Sequence, residues 1–297
     1  MNLTLVTGAS GFVGSILMKQ LAQQGMPTIG VSRTPTDGVF TVPTYGSEMD
    51  WSPLLVGVKT VIHVAARVHV MRDRSLDPLS DFRKANVDAT LHLARAAVRA
   101  GVKRFVFIST IKVNGEATEP GRPFRAEDRP NPQGPYAISK FEAECALLEI
   151  GRSTGIEIVI IRPPMIYGPG VKGNLASLAR WGKFRLPSPL GSVRNARTLV
   201  HVSNLCNAII AACNRAEAAN EVFLIADGTS VSTNDIMLKL GWSKTPKTLE
   251  FAFSWIVLGI LRQRKSTWRK LASNLEVDIV KAQSLLGWEP QCFNSFT

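Results

Sequence analysis

The chain has 297 residues, enough for one large domain or two modest ones with a sizeable core either way. Hydrophobic residues make up 45% and charged residues 20%, which is ordinary for a soluble globular protein and excludes disorder over most of the length. The net charge of +12 fits polyanionic partners such as nucleotides or phosphosugars as well as a solvated basic surface, and no basic run is interleaved with aromatics as a nucleic-acid groove requires.

In chain order, Leu3–Thr7 reads as a buried strand that begins almost at once, with no charged n-region, so no secretory signal is expected. A helical pattern follows over Val13–Gln24 and is closed by Gly25. Strands are predicted at Thr28–Val31, Val58–Val64, Arg104–Ile108 and Ile156–Ile161, with helices at Leu91–Ala100, closed by Gly101, and Lys140–Ile150. This alternation predicts an α/β fold with a doubly wound parallel sheet of the Rossmann kind. After Arg162 the pattern loosens into loops marked by Pro163, Pro164, Gly168, Pro169, Gly170 and Gly173, then Pro187 and Pro189. His201–Cys213 reads as a return to a helix of the first domain, and a smaller mixed region from Glu221 ends in a helix at Val277–Leu286. The expected division is residues 1–165, with 196–218 returning, as the nucleotide-binding domain, and 166–195 with 219–297 as a smaller C-terminal substrate lobe. The apolar run Leu249–Leu261 is too short for a membrane span, which needs about 20 residues. Basic residues follow it, so an interfacial helix is conceivable, but a packed helix is expected, and membrane association is not. Cys145, Cys206, Cys213 and Cys292 show neither CxxC spacing nor a His at ligand spacing. They are expected to be reduced, mostly buried thiols in a cytoplasmic protein, with no metal site.

Thr7-Gly8-Ala9-Ser10-Gly11-Phe12-Val13-Gly14 joins the first strand to the first helix. Gly8 permits the tight turn, Gly11 the approach of a pyrophosphate, and Gly14 close packing of the helix, whose N-terminus faces the anion. In this strand–turn–helix setting the glycines predict a dinucleotide site. The second strand ends in Val31-Ser32-Arg33, where an acidic residue would hold a ribose 2′-hydroxyl. Ser32 and Arg33 suit a 2′-phosphate instead, so NADP is expected over NAD, although NAD is possible.

Tyr136-Ala137-Ile138-Ser139-Lys140 puts Tyr and Lys on one helix face. A lysine ammonium one turn away is expected to lower the phenol pKa from about 10 and make Tyr136 a usable proton donor and acceptor. A strand end at Ser109-Thr110 supplies a hydroxyl beside them.

With these motifs in hand, the sequence resembles the extended short-chain dehydrogenase/reductase family. The matching features are the glycine loop, His63-Val64-Ala65-Ala66, Asn86-Val87, Thr110, Tyr136 with Lys140, Arg162–Gly170, and Leu286-Gly287-Trp288-Glu289-Pro290. The nearest subgroup is the bacterial nucleotide-sugar 4-ketoreductases and 4-epimerases serving surface polysaccharides such as O-antigen; Met165 departs from it, standing where epimerases often have Asn. The resemblance implies that Tyr136 exchanges a proton with the sugar oxygen, Lys140 holds the nicotinamide ribose, and Thr110 hydrogen-bonds the same sugar oxygen. It also implies that Gly8, Ser10, Gly11, Phe12, Val13, Gly14, Ser32, Arg33, Ala65 and Ala66 line the cofactor. Arg197 would bind the substrate diphosphate with Asn174 close by, and His63 is expected to be structural. A homodimer is expected.

A dehydratase needs further acid/base groups, typically a carboxylate pair after the Thr, and here Ile111 and Lys112 follow Thr110. An epimerase oxidises and re-reduces one carbon and retains NAD, whereas a reductase takes NADPH at each turnover. Ser32-Arg33 therefore favours reduction of the 4-keto group of a UDP-4-keto-6-deoxy-HexNAc. The alternatives are a UDP-sugar 4-epimerase of the UDP-glucose or UDP-GlcNAc type and, more distantly, a non-catalytic dinucleotide sensor or scaffold.

Overall fold

The computed structural model describes residues 2–68, 75–171, 174–185, 187–188, 190–191, 193–244 and 271–292. The strands are β1 (Leu3–Thr7), β2 (Thr28–Ser32), β3 (Val39–Thr41), β4 (Val58–His63), β5 (Arg104–Ile108), β6 (Glu157–Arg162), β7 (Met165–Tyr167), β8 (Arg197–His201), β9 (Val222–Leu224) and β10 (Ser230–Val231). Seven of them form one sheet in the order β3-β2-β1-β4-β5-β6-β9, every pair parallel. A second sheet has the order β10-β8-β7. The helices are α1 (Phe12–Gln23), α2 (Ser52–Leu55), α3 (Pro78–Arg83), α4 (Ala89–Arg99), α5 (Gly134–Thr154), α6 (Asn174–Gly182), α7 (Val202–Asn214), α8 (Thr233–Lys239) and α9 (Val280–Leu286). A single π turn, Lys84–Asp88, joins α3 to α4.

The strands read as unbroken apolar runs because both faces of the large sheet are covered. Val6, Ile62, Val106 and Val159 point into a core shared with Leu17 of α1 and Leu205 and Ile209 of α7. Their chain neighbours Leu5, Val61, Phe105 and Ile158 point the other way, against Leu93 of α4 and Leu147 of α5. Alternation at every strand divides one sequence between two cores. With Arg162 of β6, Arg104 is one of two arginines buried in these runs. It is buried, and its guanidinium donates to the carbonyls of Ala212, Cys213 and Arg215 at 2.7, 3.1 and 2.7 Å, while Nε meets Glu157 at 2.7 Å. A cation thus caps the orphan carbonyls at the end of α7.

Two strands lie across the expected division. β8, in the returning segment, belongs to the small sheet, and β9, from the expected substrate lobe, closes the large sheet beside β6. The reason is local. Phe223 of β9 is fully buried in the α1/α7 core, and the strand covers an edge that β6 would otherwise expose. The cysteines also depart from expectation. All four are free, but only Cys206 is buried; Cys213 is intermediate, and Cys145 and Cys292 are exposed. No helix among the described residues is long and apolar enough to cross a membrane. The apolar run 249–261 and Gly173 lie outside the described residues.

Candidate active site

The glycine loop is shaped by contacts that admit no side chain. Gly8 has φ +71°, and a Cβ there would lie 2.8 Å from the amide nitrogen of Ala65, which follows β4. A Cβ on Gly14 would lie 2.1 Å from the Gly8 carbonyl oxygen, so the first turn of α1 is wound directly onto the loop. Gly11 is the N-cap of α1 and offers no capping side chain, which leaves the first-turn N–H groups at Phe12, Val13 and Gly14 for an anion. This cradle fits a dinucleotide pyrophosphate, with Ala65 and Ala66 across from Gly8.

At the end of β2 the two expected phosphate ligands separate. Ser32 is buried. Its hydroxyl donates to the Thr34 carbonyl at 2.6 Å and accepts from the Thr34 amide at 2.9 Å, with Ser10 Oγ at 2.7 Å. It shapes the turn rather than presenting a donor to a ligand. Arg33 is exposed, with its guanidinium 5.7 Å from the ring centre of Tyr45. Sequence reading missed Tyr45, whose hydroxyl accepts from Gly8 N at 3.2 Å and donates to the Val31 carbonyl at 3.0 Å, tying the glycine loop to β2. Its only signal was an aromatic in a polar loop.

α5 begins at Gly134, earlier than its apolar pattern suggested, with Pro135 in the first turn where its missing N–H costs nothing. Tyr136 therefore sits in the first helical turn, where the helix dipole favours negative charge on the phenol oxygen. Burial nevertheless pushes that phenol up to about 12, opposite to the lowering expected from Lys140. The Lys140 ammonium is directed elsewhere, onto the Phe107 ring of β5, 3.9 Å from its centre. Lys140 is almost wholly enclosed, and burial brings it down to about 7, with Glu144 one turn later opposing the fall. Thr110, buried just beyond β5, accepts from the Lys112 amide at 3.3 Å. The segment Ile111–Val113 that follows packs on α5, and the Val113 carbonyl accepts from the amide of Asn131, three residues before that helix, at 2.9 Å.

Three supports hold this arrangement from behind. Asn86, in the π turn, donates to Ser139 Oγ and the Arg67 carbonyl at 3.1 Å each and accepts from the Arg67 amide at 2.8 Å. His63 is buried, with Thr7 Oγ1 at 2.7 Å from Nδ1 and Thr90 Oγ1 at 3.0 Å from Nε2, and burial brings it down to about 3. It is a neutral structural imidazole. Arg162 and Glu144 form a buried fork, Nε–Oε1 3.0 Å and Nη2–Oε2 2.5 Å, and Arg162 Nη1 donates to Asn114 Oδ1 at 3.0 Å.

Asn114 opens onto a cleft of about 230 Å³ lined also by Glu116, Asn131, Gln133 and Ser273. That is below the roughly 300–1,000 Å³ of whole-ligand sites, so the cleft suits one part of a ligand. Gln133 immediately precedes α5, and Ser273 accepts from Arg197 Nη1 at 3.0 Å, so the cleft spans from the Tyr136 end of α5 toward Arg197. Arg197 is half-buried. The backbone of Asn174 starts α6, and its side chain lies outside the description. Met165 opens β7 opposite Leu199 and is 39% exposed, which leaves a flexible apolar side chain at a surface. Glu116 and Gln133 were not anticipated, because single polar residues in a loop carry no periodic signal.

Residues 4–226 match the NAD dependent epimerase/dehydratase family. The chain belongs to that family. Over 295 residues it is 38% identical to a UDP-glucose 4-epimerase of Vibrio cholerae, covering 96% of this chain and 90% of that one. Its fold is similar to the UDP-glucose 4-epimerase of Thermotoga maritima crystallised with UDP-glucose (TM-score 0.77, 24% identity, 98% and 94% of the two chains). It is also similar to RMD of Pseudomonas aeruginosa complexed with NADPH (TM-score 0.72, 22% identity, 99% and 96%). The protein is thus a member of a family of nicotinamide-dependent epimerases and dehydratases.

Proposed function

We propose that the protein is an NADPH-dependent 4-ketoreductase of a UDP-linked 4-keto-6-deoxy-HexNAc, working in the synthesis of a surface polysaccharide. The observation that carries the choice of reduction is Arg33, an exposed guanidinium at the end of β2 where no carboxylate competes for the ribose. With the Ser32 hydroxyl engaged by Thr34 and Ser10, Arg33 would carry most of the contact with a 2′-phosphate. A bound nicotinamide supplies hydride chemistry at the sugar carbon. The chain itself handles the proton. Tyr136, protonated at neutral pH as a phenol ordinarily is, hands its proton to the sugar oxygen as negative charge develops there. Thr110 donates a hydrogen bond to the same oxygen. Lys140 supports the ribose. Arg197 draws the substrate diphosphate toward the far end of the cleft.

A second reading, 4-epimerisation, is favoured by the full-length identity to the Vibrio cholerae protein. One experiment separates them. Purified protein is given NADPH and a UDP-4-keto-6-deoxy-HexNAc, and separately UDP-glucose and UDP-GlcNAc, with nicotinamide absorbance and sugar-nucleotide chromatography followed together. The reductase oxidises NADPH stoichiometrically with the keto-sugar. Epimer formation at constant absorbance rejects the reductase in favour of the second reading.

A further inference from the structure

The basic surplus is unevenly distributed. From Ile158 to Ala216 the sequence has no Asp or Glu, while Arg180, Lys183 and Arg185 fall within six consecutive residues at the end of α6. That helix is gripped on one side. A Cβ on Gly182 would lie 2.0 Å from the Leu240 carbonyl oxygen just beyond α8, and Trp242 Nε1 donates to the Leu178 carbonyl at 2.9 Å. The grip turns the opposite side outward. Trp181 is 58% and Phe184 71% exposed, and their rings meet at 6.1 Å between centres. Arg185 ends the turn at φ +51°, uncommon for a residue with a side chain, and its amide is held by the Gly182 carbonyl at 2.8 Å. Arg180, Lys183 and Arg185 are all exposed, and none forms an ion pair with a described residue.

Two touching aromatic side chains of this size, left in water on a rigidly held helix end, are unusual unless something covers them. Three cations around them that form no ion pair with a described residue, Arg180 meeting only the Ser177 hydroxyl at 3.3 Å, specify an anionic partner. Trp and Phe partition to the boundary between head groups and acyl chains, and Lys and Arg beside them reach lipid phosphates. A single-stranded nucleic acid would instead need rings spaced to take bases between them. We propose that the C-terminal turn of α6, through Trp181, Phe184, Arg180, Lys183 and Arg185, docks the protein onto an anionic lipid bilayer. The proposal is independent of which reaction the active site performs.

The test is flotation of the full-length protein with vesicles of phosphatidylcholine alone or mixed with phosphatidylglycerol. Binding is expected to the mixed vesicles at about 0.1 M salt, to weaken sharply at about 1 M, and to be absent with phosphatidylcholine alone. W181A/F184A should lower the partition coefficient at least tenfold, and R180A/K183A about 10- to 30-fold from the loss of two cations. Circular dichroism and thermal unfolding check each variant. The charge variant changes only exposed side chains and carries the test should the aromatic one not fold. Three results would overturn the proposal. One is no flotation with anionic vesicles, and another is equal flotation with neutral ones. The third is flotation unchanged in both double variants, which would move the contact elsewhere on the chain. Binding of a single-stranded oligonucleotide, lost in W181A/F184A, with no vesicle flotation would likewise reject it.

Discussion

Tyr136 and Lys140 share a helix face but differ in what burial does to them. The phenol is driven toward its neutral, proton-bearing form, and the ammonium is held against its own desolvation by the Phe107 ring and Glu144. Tyr136→Phe should therefore leave folding and cofactor binding nearly intact while lowering turnover about 10²–10⁴-fold, the range for a lost acid/base group. Steady-state rates at saturating NADPH check this, and turnover within a few-fold of wild type would remove Tyr136 from the mechanism. Lys140 makes the complementary case. Its folded pKa of about 7 lies below its ordinary 10.5, so the unfolded chain binds more protons between those values. Its contribution to stability is present at high pH and is lost as pH falls from 10.5 through about 7. Lys140→Met, which fills similar space without charge, should thus raise the thermal midpoint at pH 7 by roughly 1–4 °C and flatten its rise with pH between 7 and 10, while abolishing turnover. A lower midpoint at pH 7 would show that the ammonium is net stabilising. The YxxxK spacing was visible in the sequence. The opposing shifts were not, because both come chiefly from burial, which exists only once α5 is packed on the sheet.

The elements that position these groups meet at points with no spare room. Gly14 lies against the Gly8 carbonyl, so Gly14→Ala forces either the loop or the first turn of α1 to move. Cofactor affinity, measured by fluorescence titration of NADPH, should fall at least tenfold while the rest of the fold persists. Unchanged affinity would mean that the loop relaxes without harm. Glu144 joins α5 to β6 through Arg162, and Glu144→Gln leaves a guanidinium buried without its counter-charge. Urea unfolding should show a loss of about 3 kcal/mol or more. Because Glu144 holds the Lys140 pKa up, the lower limb of the pH–rate profile should also move down. A loss below about 1 kcal/mol would indicate that solvent reaches the pair. At this scale the sequence was legible in proportion to its periodicity. β1, β2, β4, β5 and β6 fell within about a residue of their Val- and Ile-rich runs. The short strands β3, β7 and β10 were not seen, since two or three residues establish no period. α5 was read from Lys140 because Gly134 and Pro135 look like a turn, although Pro suits the start of a helix. The Arg162–Glu144 pair, 18 residues apart in sequence, left no signal that one chain could show.

For the whole molecule, the doubly wound sheet and its second, smaller lobe followed from strand–helix alternation and its loosening after Arg162. The path between the lobes did not. A short strand such as Val222–Leu224 is assigned by its neighbours, and only the packed structure shows that its neighbour is β6. A chain cut after Ala218 should therefore lack a cooperative thermal transition and recover mostly in the insoluble fraction, because β6 is left as an open edge and the core loses Phe223, Ile225 and Trp288. A soluble, cooperatively unfolding fragment would show that six strands of the large sheet suffice without β9. The same closure has a consequence in time. As the chain leaves the ribosome, β1 to β6 and their helices are complete long before the strand that seals them. Arg104, already buried in register, awaits carbonyls that only appear with the end of α7. For that interval the nascent chain holds an unsealed apolar edge, the kind of exposed surface for which chaperones exist, while Arg104 rests on Glu157 of β6 until the carbonyls arrive.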